Sequence, residues 1–240
     1  MADDKADDRK VALITGANKG IGLEIARQLG HQGITVVLGS RDPQRGQAAA
    51  DTLKAEGIDA HTLKLEVTDA AARDAALVFF QKMGRLDILV NNAGILQDAD
   101  GITPDLLART FEANATAPYF LTEALLPLLK AAPAGRIVHQ SSILGSLATT
   151  AAGTFSPDYL LPAYASSKAA LNMLGVIQAE ALKGTSVKVN IAHPGSVKTD
   201  MNPGGALTVE EGAKTAVTLA TLPDNGPTGG YFHLGETLPW

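Results

Sequence analysis

The sequence contains no cysteine. Disulfide staples, thiolate metal sites and cysteine nucleophiles are therefore excluded. It has no apolar run long enough to span a bilayer. Its opening stretch, MADDKADDRK, is acidic and polar, the reverse of a secretory leader. Residues 1–9 read as a solvated tail, and a cytoplasmic location is the expectation. Positive charge is not in excess either: 20 Lys and Arg stand against 25 Asp and Glu, a net charge of −5. With no basic stripe, nucleic acid is not an expected partner. The five histidines, at 31, 61, 139, 193 and 233, show no metal-ligand spacing. What is present is an ordinary apolar share, 45%, over 240 residues, which suits one domain with a sizeable core.

Short β-branched runs alternate with longer stretches of helical periodicity. Strands are predicted at 11–15, 34–40, 60–67, 86–94, 135–145, 187–195 and, shorter, at 229–234. Helices are predicted at 21–32, 42–57, 68–84, 103–132, 163–184 and 208–222, with Pro118 as a candidate kink in the fourth. Asp42 and Pro43 read as N-cap and first helical residue, Gly57 as a stop, and Thr68 or Asp69 as the next cap. Strand–helix alternation of this kind implies an α/β fold, a doubly wound, Rossmann-like parallel sheet flanked by helices in a single domain over 1–240. Ligands of such sheets bind beyond the C-terminal strand ends, at the switch point. TGANKGIG, GSRD, NNAG, SSILG and HPGSVKT each follow a predicted strand, so they are expected to converge on one cleft.

Two of these clusters carry chemistry on their own terms. Glycines between a strand and a helix N-terminus let the backbone turn and leave N–H groups and the positive helix end facing an anion. Tyr164 and Lys168 are four apart on a predicted helix and so share a face. A lysine cation ~4 Å from the phenol would be worth roughly 4 kcal/mol at an effective dielectric of about 20. That corresponds to about three pKa units and would bring the phenol from about 10 to near 7. One such pair alone can equally be a routine surface contact.

The chain resembles the short-chain dehydrogenase/reductase superfamily over nearly its whole length. The residues that carry this are TGANKGIG (15–22), NNAG (91–94), Asn114, Ser142 and YASSK (164–168). TGANKGIG and the ending GGYFHLGETLPW look most like the carbonyl-reductase-like group. The resemblance implies a catalytic set of Asn114, Ser142, Tyr164 and Lys168. Tyr164 would exchange the proton, Lys168 would tune it and hold a ribose, and Ser142 would polarise a carbonyl. Asn114 would shape a kinked helix holding a water that relays protons to Lys168.

It also implies a nicotinamide dinucleotide. Gly16, Asn18, Gly20, Ile21 and Gly22 would hold the pyrophosphate, Glu66 and Val67 the adenine, and Asn91, Asn92, Ala93 and Gly94 the nicotinamide ribose. Pro194, Gly195, Val197 and Thr199 would lie against the nicotinamide. Glu66 stands where the family usually has Asp. An acid at the end of the second strand usually binds a free ribose 2′-hydroxyl. Here Ser40 occupies that position and Arg41 follows it. Arg41 and Lys19 are two cations suited to a 2′-phosphate, so the expected cofactor is NADP(H).

The segments 146–162 and 200–208 should shape the substrate site. Their small and apolar residues suggest a bulky or aromatic ketone, diketone or aldehyde. An acyl-carrier-protein ketoreductase and a non-catalytic NADP(H)-sensing protein are the alternatives. Pairing of the two long helices would give a homodimer or homotetramer, with the GETLPW tail packing against a neighbour.

Overall fold

The computed structural model describes residues 9–98 and 101–240, so residues 1–8 of the expected tail lie outside the described residues. The chain begins with β1 (Val11–Thr15), whose five residues are all buried, followed by α1 (Gly20–Gly30). β2 (Thr35–Ser40), α2 (Pro43–Ala55), β3 (Ala60–Lys64), α3 (Ala70–Met83) and β4 (Ile88–Asn91) come next. The second half runs through α4 (Pro104–Phe111), α5 (Ala117–Ala131), β5 (Arg136–Gln140), a short α6 (Leu147–Ala151) and the long α7 (Pro162–Ala181). β6 (Lys188–Ala192), α8 (Val209–Ala220), β7 (Tyr231–His233) and β8 (Glu236–Thr237) complete it.

One eight-stranded sheet results, in the order β3-β2-β1-β4-β5-β6-β7-β8. Strand residues alternate between its two faces. Ile14, Val36, Val90, Val138 and Ala192 pack with α1, α2 and α8 on one side. Leu13, Val37, Leu89, Ile137 and Val189 pack with α3, α5 and α7 on the other. Both faces are covered, and the central strands β1 and β4 are accordingly apolar over most of their length. The chain winds outward from β1 to β3, then returns to β4 beside β1, which opens a crevice between the C-terminal ends of β1 and β4.

Local signals explain most of the boundaries. The Asp42 side chain accepts the N–H groups of Gln44 and Arg45, ahead of Pro43, and Gly57 takes φ +83° after the helix. Asp69, rather than Thr68, caps α3. α8 starts with a capping box between Thr208 and Glu211.

Three expectations need correction. The helix foreseen over 103–132 is not continuous: a π-helical turn, Glu112–Thr116, separates α4 from α5 and holds Asn114. The irregularity lies just before Pro118, which has no N–H to give the carbonyl four residues back, that of Asn114. The sheet is not wholly parallel, because β8 pairs antiparallel with β7. The two-residue turn between them has positive φ at Leu234 (46°) and Gly235 (89°), the backbone of a tight hairpin. Finally, the strands foreseen through 67, 94, 145 and 195 stop at Lys64, Asn91, Gln140 and Ala192. The residues beyond them peel away as loops at one end of the sheet.

Candidate active site

Those loops surround a cleft of about 650 Å³. Gly16, Asn18, Lys19, Gly20, Ile21 and Gly22 line one wall, with Arg41, Glu66 and Val67 at one end. Asn92, Ala93, Gly94, Tyr164, Lys168, Pro194 and Thr199 line the rest, together with Gln140 and Ser141. Ser40, Asn91, Asn114, Ser142, Gly195 and Val197, expected in the same group, are not among its lining residues; the Asn91 amide instead faces Thr122 and His139.

The glycine turn is shaped for an anion. Gly16 and Gly20 have φ of +64° and +57°. No side chain caps the N-terminus of α1 at Lys19, so its first-turn N–H groups remain for a ligand. Gly22 permits close packing: a Cβ there would stand 2.5 Å from the Asn92 side-chain nitrogen and 2.6 Å from the Gly16 carbonyl oxygen. The NNAG turn is tied to β1 by Thr15, whose Oγ1 accepts the N–H groups of Asn92 (3.0 Å) and Ala93 (2.9 Å). The Asn92 side chain donates to the Thr15 carbonyl at 2.9 Å. From the sequence, Thr15 reads only as part of TGANKGIG and the end of the first strand, without this role.

The two expected cations differ. Arg41 is exposed at the cleft rim and has no ion-pair partner among the described residues; Arg45, not Arg41, pairs with Asp42. Lys19 instead meets Asp200, its Nζ 2.6 Å from the carboxylate, and this contact bridges the cleft mouth from the glycine turn to the loop after β6. The Ser40 hydroxyl donates to the Asp42 carbonyl at 2.8 Å, so it braces the turn that carries Arg41. No carboxylate ends β2.

At the opposite end, Tyr164 and Lys168 lie on one face of α7. Lys168 is 4% exposed, and its Nζ donates to the backbone carbonyl of Gln140 at 2.9 Å. It stands 5.6 Å from the centre of the Tyr164 ring. The expected depression of the phenol is not found. Burial pushes Tyr164 up to about 12, and the hydrogen bond with Ser142 offsets this only in part. Burial also pulls Lys168 down to about 8. The physical reason is that desolvation penalises the phenolate while the ammonium is turned toward a carbonyl rather than the phenol.

Asn114 is fully buried. Its amide donates to the Ile95 carbonyl (2.9 Å) and to the Ser167 hydroxyl (3.0 Å), and its oxygen accepts the Ile95 N–H at 2.8 Å. It thus clamps the loop after β4 to α7, next to Lys168. A Cβ at Gly94 would stand 3.0 Å from the Asn114 oxygen and 3.5 Å from Lys168 Nζ, so that loop passes close to both. Val197 packs against Gly205 and Gly212.

Sequence reasoning missed Asp98, whose carboxylate accepts the N–H groups of Ala163 (2.8 Å) and Tyr164 (3.2 Å) and caps α7 from a distant loop. It also missed a buried polar chain under the site. Asn91 contacts His139 at 3.2 Å, His139 contacts Gln178 at 3.0 Å, and Gln178 donates to Glu123 at 2.9 Å. Within the chain, the last residue of the tail, Trp240, stacks on Tyr231, and its carbonyl accepts the Ala148 N–H at 2.7 Å. Among the described residues, no cluster of metal-ligating side chains exists and no helix is long and apolar enough to cross a membrane.

A glycine turn at the switch point and a Tyr–Lys helix facing it define a dinucleotide-dependent oxidoreductase, and comparison with known proteins agrees. The short chain dehydrogenase family model matches residues 10–205, and the chain belongs to that family. Within it, the chain falls in the carbonyl-reductase-like group. It is 33% identical to carbonyl reductase (NADPH) 1 of Mus musculus, over 98% of this chain and 100% of that one. It is 37% identical to a (+)-neomenthol dehydrogenase of Arabidopsis thaliana, over 93% of this chain and 95% of that one. The NADPH-bound carbonyl reductase from chicken fatty liver superposes with a TM-score of 0.83 at 30% identity, covering 97% of this chain and 99% of that one.

Proposed function

We propose that this chain is an NADP(H)-dependent carbonyl reductase, running as an alcohol dehydrogenase in reverse, with a bulky or aromatic ketone, diketone or aldehyde as substrate. The observation that carries the reading is the two-ended cleft: Arg41, without an ion-pair partner among the described residues, beside a β2 that ends in Ser40, and Tyr164 and Lys168 at the other end. The relatives named for NADPH support the same choice.

The residues present fit the dinucleotide. Arg41 and Lys19 would meet the 2′-phosphate, Glu66 and Val67 the adenine, and the Gly16–Gly22 turn the pyrophosphate. Lys168 and the Asn92–Gly94 turn would hold the nicotinamide ribose, with Pro194 and Thr199 beside the ring. When bound, the nicotinamide supplies the hydride in reduction and accepts it in oxidation. Ser142 donates a hydrogen bond to the substrate carbonyl oxygen, where negative charge develops. Tyr164 gives that oxygen its phenolic proton, and takes it back in the oxidative direction. A phenol held at about 12 is protonated at neutral pH, the state reduction requires. Asn114 acts as a positioning residue through Ser167 and the Ile95 backbone.

Substrate size rests on the walls beyond Ser142 and β6. Leu147, Tyr159, Leu160 and Met201 are exposed apolar residues there, and 146–162 has little regular structure beyond α6 and one turn at Pro157–Tyr159. A cytoplasmic setting and a homodimer or homotetramer belong to the same reading, with exposed Phe120, Met173 and Ile177 on α5 and α7 as the apolar contact. The test is a substrate panel with NADPH. Turnover of bulky aromatic ketones and diketones is expected. Turnover confined to small, highly charged carbonyls or to ketone thioesters would contradict it.

A further inference from the structure

Gln140 is the last residue of β5. It is 5% exposed, yet among the described residues neither its amide nitrogen nor its amide oxygen has a hydrogen-bond partner. A buried polar atom without a partner destabilises the fold by its full desolvation penalty, and Gln140 holds two. Its neighbours do not share this state: His139 is bonded on both ring nitrogens and Ser141 donates to Asn172 at 2.6 Å.

Its position says what could satisfy it. Gln140 follows Val138 by two residues, so its side chain leaves the sheet on the α1 and α8 face rather than toward α7. It pairs in register with Ala192 of β6, two residues before Pro194. Its own carbonyl receives the Lys168 ammonium, and its residue lines the cleft. It therefore lies at the Lys168 end, remote in the fold from Arg41 and Glu66 on the β2 and β3 side.

We propose that Gln140 is a cofactor-binding residue whose side-chain amide, buried and unpartnered at the cleft wall beside Lys168, hydrogen-bonds the polar groups of the nicotinamide-ribosyl half of the dinucleotide. This rests on the dinucleotide reading of the cleft. A carboxamide offers both a donor and an acceptor, so it can meet ribose hydroxyls and the nicotinamide amide alike. Gln140 joins the nicotinamide end to β5, as Lys168 joins it to α7.

The test uses Gln140→Met, which keeps the length of the side chain and removes both hydrogen-bonding atoms. Binding is measured by titration with NADP+ and with 2′,5′-ADP, which carries only the adenosine end. Melting temperature is measured with no ligand and with each. The variant should bind NADP+ about tenfold more weakly, as expected for two lost hydrogen bonds, and bind 2′,5′-ADP like the wild type. Its ligand-free melting temperature should be equal or higher, because two unsatisfied buried atoms are gone. Unchanged NADP+ binding, equal weakening of both ligands, or a lower ligand-free melting temperature with NADP+ binding intact would each overturn the proposal. Failure of the wild type to bind either ligand would overturn the dinucleotide reading itself, and this proposal with it.

Discussion

The carboxylate of Asp98 caps the helix that begins two residues before Tyr164, accepting the Tyr164 amide at 3.2 Å and the Ala163 amide at 2.8 Å. Loss of an N-cap acceptor costs about 1 kcal/mol, and here the cap also sets the rotation of α7. Asp98→Ala should lower the melting temperature by a few degrees and lower kcat about tenfold through misplacement of the phenol. NADPH affinity should stay near the wild-type value. Thermal melts with steady-state kinetics and a cofactor titration check it; equal losses in kcat and affinity would refute a positioning role.

Tyr164 fixes the pH dependence. With its phenol pushed up to about 12 by burial, the ligand-free protein carries a neutral Tyr164 through the physiological range. Reduction needs the protonated phenol, so its rate should be level across neutral pH. Oxidation needs the phenolate, so its rate should climb by up to about tenfold per pH unit as the solution becomes alkaline. Lys168, at about 8, loses its charge over the same alkaline range and should flatten that climb. Rate profiles in both directions test this; an oxidation rate already level at pH 6 would contradict it.

The two cations at the adenosine end are separable. Lys19→Ala with Arg41→Ala should weaken NADPH about 10- to 100-fold, as for lost charge-assisted hydrogen bonds, and leave NADH nearly unchanged. Asp200→Asn should act in the opposite sense. It removes the carboxylate that holds Lys19 at 2.6 Å, so NADPH binding should tighten modestly and NADH binding should not.

Acid should weaken the fold through two imidazoles, the buried His139 and the half-buried His193. Burial lowers His139 and His193 from 6.5 to about 4. The unfolded chain therefore binds more protons than the folded one between these values. Their contribution to stability is complete above pH 6.5 and falls as the pH drops toward 4, by on the order of 2–3 kcal/mol for His139 and less for the half-buried His193. Denaturation midpoints at pH 7 and pH 5, with the imidazole states followed by NMR, measure the effect; protonation of either ring near pH 6.5 would contradict it.

Much of this was legible from local chemistry. Asp42 and Pro43 start α2 where their residue types require, and the glycine turn, Asn92–Gly94 of NNAG, and Tyr164 and Lys168 of YASSK line the cleft described above. What escaped was non-local or geometric. Asp98 caps a helix 64 residues away, a relationship that no spacing reveals. Asn114 was foreseen in a long helix with Pro118 as a candidate kink, but not the π turn into which the helix opens at Asn114, where Pro118 withholds a donor. The depressed Tyr164 phenol rested on a ~4 Å approach by a cation. In the structure Lys168 turns to the Gln140 carbonyl, and burial decides instead. Gln140 itself reads as one more strand residue until its partners are counted.

The central claim is tested most directly by NADPH oxidation with a bulky aromatic diketone, run beside NADH and with Tyr164→Phe as control. The account predicts turnover with NADPH, much slower turnover with NADH, and loss of activity in the variant with NADPH binding retained. Preference for NADH, or full activity in Tyr164→Phe, would contradict it.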